Sequence, residues 1–278
     1  MSARHHALFK RFPLTSTAQL SVGIVPVPYH IYDGSGIFVG GTADLSAVTD
    51  LLRTEQLTPL RTTDDRALMG IWICDFVDAS LDPHHELQFS IFVSRGASAP
   101  IPAHPVGLLS AMLTRPDLQM LCHGLWNNTP KVVAYNRELL SLNARSTTSQ
   151  IVHTTTSASF SFADSSTGQA LLHGQLAVPS RTSPALTRAL LSQMGFLRSL
   201  QVTWQPAVRM QVVNPLGVGL TYNGVAEAYT KNATNIVREF DASTDLLTIS
   251  ALPYANLGFR PQIIQFMTGF KFVYLNPR

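Results

Sequence analysis

Charge is scarce in this sequence: only 13% of its 278 residues are Asp, Glu, Lys or Arg. Disordered chains are charge-rich and aromatic-poor, so this scarcity, beside 45% hydrophobic residues, excludes extensive disorder. Lysine is rarer still, confined to Lys10, Lys131, Lys231 and Lys271, and arginine supplies the rest of the basic charge. With no basic run interleaved with aromatics, nucleic acid is not an expected partner. A surface so poor in charge fits burial in a homo-oligomer. The net charge of +3 leans only slightly toward an anionic ligand. Cysteine is nearly absent. Cys74 and Cys122, without a CxxC pair or a disulfide framework, read as free thiols in a reducing, cytoplasmic compartment. No apolar stretch reaches the roughly 20 residues of a membrane helix, and no apolar core follows Arg4, Lys10 and Arg11, so neither a span nor a signal peptide is expected. The lack of any acid before Asp33 leaves a mitochondrial presequence open.

What is present is mostly strand pattern. Leu20–Pro28 is Val/Pro-rich and reads as extended. Tyr32-Asp33-Gly34-Ser35-Gly36 is a turn signal before the β-like Ile37-Phe38-Val39. Leu45, Val48, Leu51 and Leu52 recur at helical spacing behind Thr42 or Asp44, predicting a helix over Thr42–Arg53. Leu68–Val77 reads as a buried strand. His85–Ser94 reads as a half-buried one, with Leu87, Phe89, Ile91 and Val93 on one face and Glu86, Gln88, Ser90 and Phe92 on the other. Val106–Leu113 fits helix or strand, Thr147–Ser161 a solvent-facing strand, and Ser183–Leu200 a second helix. Ala207–Val213, Ala226–Arg238, Leu246–Ala251 and Ile263–Tyr274 complete the β segments. No repeat or linker marks a boundary, so the expectation is an N-terminal extension over residues 1–20 and one β-rich domain over 21–278. The expected class is mainly β (α+β), a closed or partly closed antiparallel barrel with a few inserted helices.

The foremost candidate for chemistry is Lys131. A chain that elsewhere uses arginine keeps lysine between Pro130 and the apolar Val132-Val133-Ala134-Tyr135. A solvated surface lysine is the ordinary explanation. The chemical one is that only a neutral amine attacks a carbonyl, and burial lowers a lysine's pKa toward neutrality, whereas arginine stays charged. His84-His85-Glu86 places His84 and Glu86 on one strand face. With His104 or His123 they could form a metal site, but there is no HExxH and no cysteine ligand pair, so no metal is expected. No GxSxG, phosphate loop or thiol motif points to serine, nucleotide or cysteine chemistry.

The order of several short segments resembles the acetoacetate decarboxylase superfamily. They are Pro28-Tyr29-His30, the His85-Glu86 strand start, Thr129-Pro130-Lys131 (similar to that family's Tyr-Pro-Lys-Lys), Ala226-Glu227-Ala228-Tyr229-Thr230 and the closing Phe266–Tyr274. The resemblance implies a β-cone or double barrel and a cofactor-independent lyase whose lysine, here Lys131, forms a Schiff base with a β-keto acid or related carbonyl compound. It implies Glu86 as a proton-transfer or positioning carboxyl. Decarboxylation leads, with aldol, dehydratase or cyclase chemistry through the same lysine, or a non-catalytic small-molecule-binding barrel, as alternatives. Tyr29, Trp72 and Trp126 are the expected substrate-binding walls. The sequence departs from the family where Val132 replaces the second lysine, where Asp33-Gly34-Ser35 stands in place of a carboxylate-binding arginine, and where Met69–Ile71 lacks an acid.

Overall fold

A computed structural model describes residues 3–96, 98–184, 186–189, 207–215 and 224–276. Seven strands close into a ring. Tyr29–Asp44 pairs antiparallel with Arg66–Ala79, that strand with His84–Ser94, and His84–Ser94 with Gln119–Asn127. Gln119–Asn127 then runs parallel to Val208–Val213, which pairs with Val225–Lys231. Lys271–Tyr274 joins Val225–Lys231 back to the first strand. Closure satisfies both edges of every strand, as expected from a chain with so little charge to protect an open edge.

Outside the ring lies a second layer. Ala144–His153, Ser157–Asp164, Ala170–Ala177 and Leu246–Ile249 form an antiparallel sheet, and Arg260–Thr268 pairs with the distal half of the long first strand and with Thr234–Glu239. The two layers create two cores. Alternation along His84–Ser94 sends Leu87, Phe89, Ile91 and Val93 to the outer core, with Phe160, Leu172 and Ile264. The opposite parity of the ring strands supplies Cys74, Phe76, Met120, Val212 and Tyr274 to the lumen.

Several segments differ from the sequence expectation; Ala226–Arg238 and Ile263–Tyr274, for instance, each divide into two strands. Tyr32–Gly36 is no turn but lies inside the sixteen-residue strand Tyr29–Asp44. Its glycines serve close strand approach, since a Cβ at Gly34 would stand 2.6 Å from the Asp75 carbonyl oxygen, next to a register shift at Asp33. The Thr147–Ser161 segment is two strands of a hairpin rather than one. The expected helix over Thr42–Arg53 is shorter, Leu45–Leu51, and Val106–Leu113 resolves as helix Pro105–Thr114 with His104 capping Gly107 N–H. Most of the helix expected over Ser183–Leu200 lies outside the described residues; 184 and 186–189 are helical.

Residues in the expected N-terminal extension pack on the ring. Leu8 and Phe9, from the short helix Ala7–Arg11, are buried beside Tyr32, Tyr229 and Val273. Ser16–Leu20 pairs with Gly23–Val27. Among the described residues, no helix is long and apolar enough to cross a membrane.

Candidate active site

The ring encloses a narrow cavity of about 50 Å³. Every ring strand except Val225–Lys231 contributes to its wall, so the cavity is the barrel lumen. The wall is largely aromatic: Tyr29, Trp72, Phe76, Phe270, Phe272 and Tyr274. Besides the Tyr29 and Tyr274 hydroxyls and the Trp72 indole, its described polar groups are Glu86, Gln88 and Asn136, with the Cys74 thiol.

Glu86 is the one carboxyl among the described residues of this wall. It sits on the strand face that alternation assigned it, with His84 and Gln88 at the same parity. Asn127 Nδ2 donates to Glu86 Oε2 at 3.1 Å, and Asn136 Nδ2 donates to Asn127 Oδ1 at 2.9 Å. Asn127 is fully buried and Asn136 nearly so. Asn136 lies on a single π-turn, Tyr135–Leu139, that follows the short helix Pro130–Ala134; such turns recur at functional positions. One N–H from Asn127 does not offset removal from water. Desolvation therefore raises the Glu86 pKa from the usual 4.5 to about 7.

Tyr29 is fixed from behind. His84 Nδ1 lies 2.8 Å from the Asp82 carbonyl oxygen, which can only accept, so that nitrogen carries the proton. His84 Nε2 is then an acceptor, and the Tyr29 hydroxyl donates to it at 2.5 Å. Burial holds the imidazole uncharged, its pKa lowered to about 4. Asp82 supports this from a left-handed backbone (φ 70°), which Asp tolerates. Trp72 leans on Phe38 at 4.6 Å between ring centroids, and its indole N–H is buried without a hydrogen-bond partner.

The other sequence candidates lie elsewhere. Lys131 is not on the cavity wall: its ammonium pairs with the Asp82 carboxylate, and its side chain is 41% exposed. A desolvated amine was expected there. The difference arises because Lys131 occupies the second position of helix Pro130–Ala134, whose buried face is given to Val132, Val133 and Ala134. Trp126 is not a cavity wall either. Strand alternation turns it to the outer core, edge-on to Phe89 and Tyr254 and beneath Arg145. His84, Glu86, His104 and His123 do not converge. His104 caps a helix and His123 bonds the Tyr254 hydroxyl, and among the described residues no three His, Cys, Asp or Glu side chains are grouped to hold a metal. Cys74 and Cys122 are free and buried. Asn127, Asn136 and the closing aromatics were missed. The period of two in Phe270, Phe272 and Tyr274 is a signal that could have placed the last group on one face.

No protein-family model and no curated protein sequence matches the chain. Solved structures do. Acetoacetate decarboxylase from Legionella pneumophila superposes with a TM-score of 0.57 at 10% identity, covering 99% of this chain and 95% of the other. The chain has the acetoacetate decarboxylase fold. A second acetoacetate decarboxylase structure gives a TM-score of 0.51 at 12% identity, with 90% and 87% coverage. The enduracididine biosynthesis enzyme MppR, solved in complex with pyruvate, gives 0.54 at 9% identity, with 90% and 89% coverage. This acetoacetate decarboxylase-like barrel thus agrees with the expected fold class, and the lumen described above is its central cavity.

Proposed function

We propose that the protein is a cofactor-independent enzyme that moves a proton on a small, mostly apolar carbonyl compound, with Glu86 as the group that takes and returns it. The observation that carries this is the position of Glu86: a single carboxyl, desolvated in an aromatic lumen, whose pKa of about 7 suits both halves of a proton transfer at neutral pH. The ionised carboxylate removes a proton from the carbon next to the carbonyl, and the electron pair moves onto the carbonyl oxygen. Return of the proton from Glu86 to carbon completes the cycle. A carbonyl ligand is supported by MppR, a protein of this fold that was solved with pyruvate. Pyruvate itself is a carboxylate, and no Lys or Arg is among the described residues of this wall to receive one.

The test is deuterium exchange. The protein is incubated in D2O with small aliphatic and aromatic ketones, and loss of the proton next to the carbonyl is followed by NMR. The expected outcome is catalysed exchange with at least one ketone, reduced roughly 100-fold or more in Glu86→Gln. Exchange that is unchanged in that variant, or absent with every ketone, rejects the proposal.

A second reading is Schiff-base lyase chemistry at Lys131, decarboxylation first. It is favoured by one observation: the Asp82 that pairs with Lys131 also positions His84, and through it Tyr29 on the lumen wall. In that reading the ion pair opens for the amine to reach a carbonyl.

A further inference from the structure

The hydrogen-bonding groups of the lumen favour one sign of charge over the other. Of the described side chains on the wall, Glu86 alone can bear a charge near neutrality. Burial holds Tyr29, Cys74 and Tyr274 in their uncharged forms, as it does Cys122 nearby. His84, behind Tyr29, is likewise neutral. No Lys, Arg or His is among the described lining residues.

The wall's donors are also largely spent. Tyr29 gives its hydroxyl proton to His84, and Tyr274 gives its own to Asn214 at 3.2 Å. Gln88 directs its amide nitrogen to Ser90 at 2.6 Å and to the Met120 sulfur at 3.8 Å, and Asn136 spends an N–H on Asn127. These commitments leave oxygen lone pairs for a ligand, while the unpartnered Trp72 N–H is itself buried. Around them stand aromatic rings in near succession, with Phe76 to Phe270 at 5.7 Å, Phe270 to Phe272 at 6.0 Å and Phe272 to Tyr274 at 5.9 Å between centroids. Aromatic faces attract cations, most strongly where water is excluded, and enclosures of such rings recognise quaternary ammonium groups.

We propose that the lumen takes a small organic ammonium compound, its positive head seated between Glu86 and the aromatic wall. This rests on the lumen being the functional site and names the class of molecule that fits it. It also bears on the proton transfer. A cation beside Glu86 favours the carboxylate over the neutral acid, so arrival of the ligand produces the base, and a positive charge near the reacting carbon acidifies its proton. An anionic ligand meets the opposite: a buried carboxyl, no counter-charge and a set of acceptors.

Three probes of similar shape separate the possibilities: tetramethylammonium, the neutral tert-butanol and the anionic pivalate. Binding is measured at pH 7 by calorimetry in two buffers of different ionisation enthalpy. The expected result is tetramethylammonium bound about tenfold or more tighter than tert-butanol, with protons released on binding and no detectable pivalate binding. Glu86→Gln is expected to abolish the proton release and most of the preference. Trp72→Leu keeps the wall apolar and is expected to weaken tetramethylammonium but not tert-butanol, with thermal melting confirming that each variant folds. Equal binding of the cation and the alcohol, or a preference for pivalate, overturns the proposal. Ketone exchange without cation preference leaves the proton-transfer reading standing and removes this one; cation binding without exchange does the reverse.

Discussion

The two faces of the strands Arg66–Ala79 and His84–Ser94 are built from alternate residues of the same backbone, yet they do different work. Outward, Ile71, Ile73, Leu87, Phe89 and Ile91 are buried to within 1% and carry no polar side chain. Inward, Trp72, Cys74, Phe76, Glu86 and Gln88 surround unfilled space and include a carboxyl at a cost in desolvation. Burial of apolar surface stabilises the first face at roughly 25 cal/mol per Å². The second gives up part of that gain for a hole with an ionisable group in it. The period of two thus separates a packed face from a cavity-lining one within the eleven residues of His84–Ser94.

If that division holds, equivalent truncations on the two faces have unequal effects. Phe89 is fully buried and stacks on Tyr254 at 4.2 Å between centroids, with the rings 6° from parallel. Phe89→Ala is expected to cost about 3–5 kcal/mol, read as a lowered midpoint in urea. Phe272→Ala removes a half-buried ring beside existing space. It is expected to cost clearly less stability while weakening lumen ligands. Equal losses of stability would show that the lumen wall is packed core like the other face.

The second contrast is in pH. Unfolded, Glu86 loses its proton near the ordinary 4.5; folded, it does so at about 7. Between those values the folded state holds the extra proton. The contribution of Glu86 to stability is therefore greatest below pH 4.5 and falls as pH rises through 7, by about 3 kcal/mol in all. Glu86→Gln cannot titrate. Relative to the parent it is expected to gain stability from pH 5 to about pH 7 and to level off above that, with the difference measured by urea unfolding at each pH. A constant difference would mean that the carboxyl is hydrated, and the inward face would then be ordinary surface.

Much of this was legible in the sequence because alternation is a local signal. It placed Glu86 and Gln88 opposite Leu87 and Phe89, and the order of short segments around Tyr29, His85-Glu86 and Pro130 pointed to the fold later found. Three things were not local. Ring closure depends on Gln119–Asn127 meeting both His84–Ser94 and Val208–Val213. The Asn136–Asn127–Glu86 chain joins residues up to 50 positions apart through a π-turn that no periodicity announces. The exposure of Lys131 is not legible because an apolar run after a proline reads equally as a strand entering a core and as a helix burying its other residues.

That lysine supplies the smallest expected effect and the sharpest break. Its ion pair with Asp82 is solvent-exposed on both sides, at 41% and 66% of each side chain. Such pairs contribute about 0–1 kcal/mol, so Lys131→Ala is expected to shift the unfolding midpoint barely and to leave ketone exchange within about twofold, against roughly 100-fold for Glu86→Gln. Lys131→Ala leaves the Asp82 carbonyl in place, so the bond to His84 and the setting of Tyr29 should persist. Borohydride reduction in the presence of a turned-over ketone, followed by peptide mass analysis, gives the decisive readout. No adduct on Lys131 is the expected outcome. An adduct there, with activity lost in Lys131→Ala, would mean that the amine leaves Asp82 and enters the lumen, and the chemistry would belong to the outer helix rather than to the inner strand.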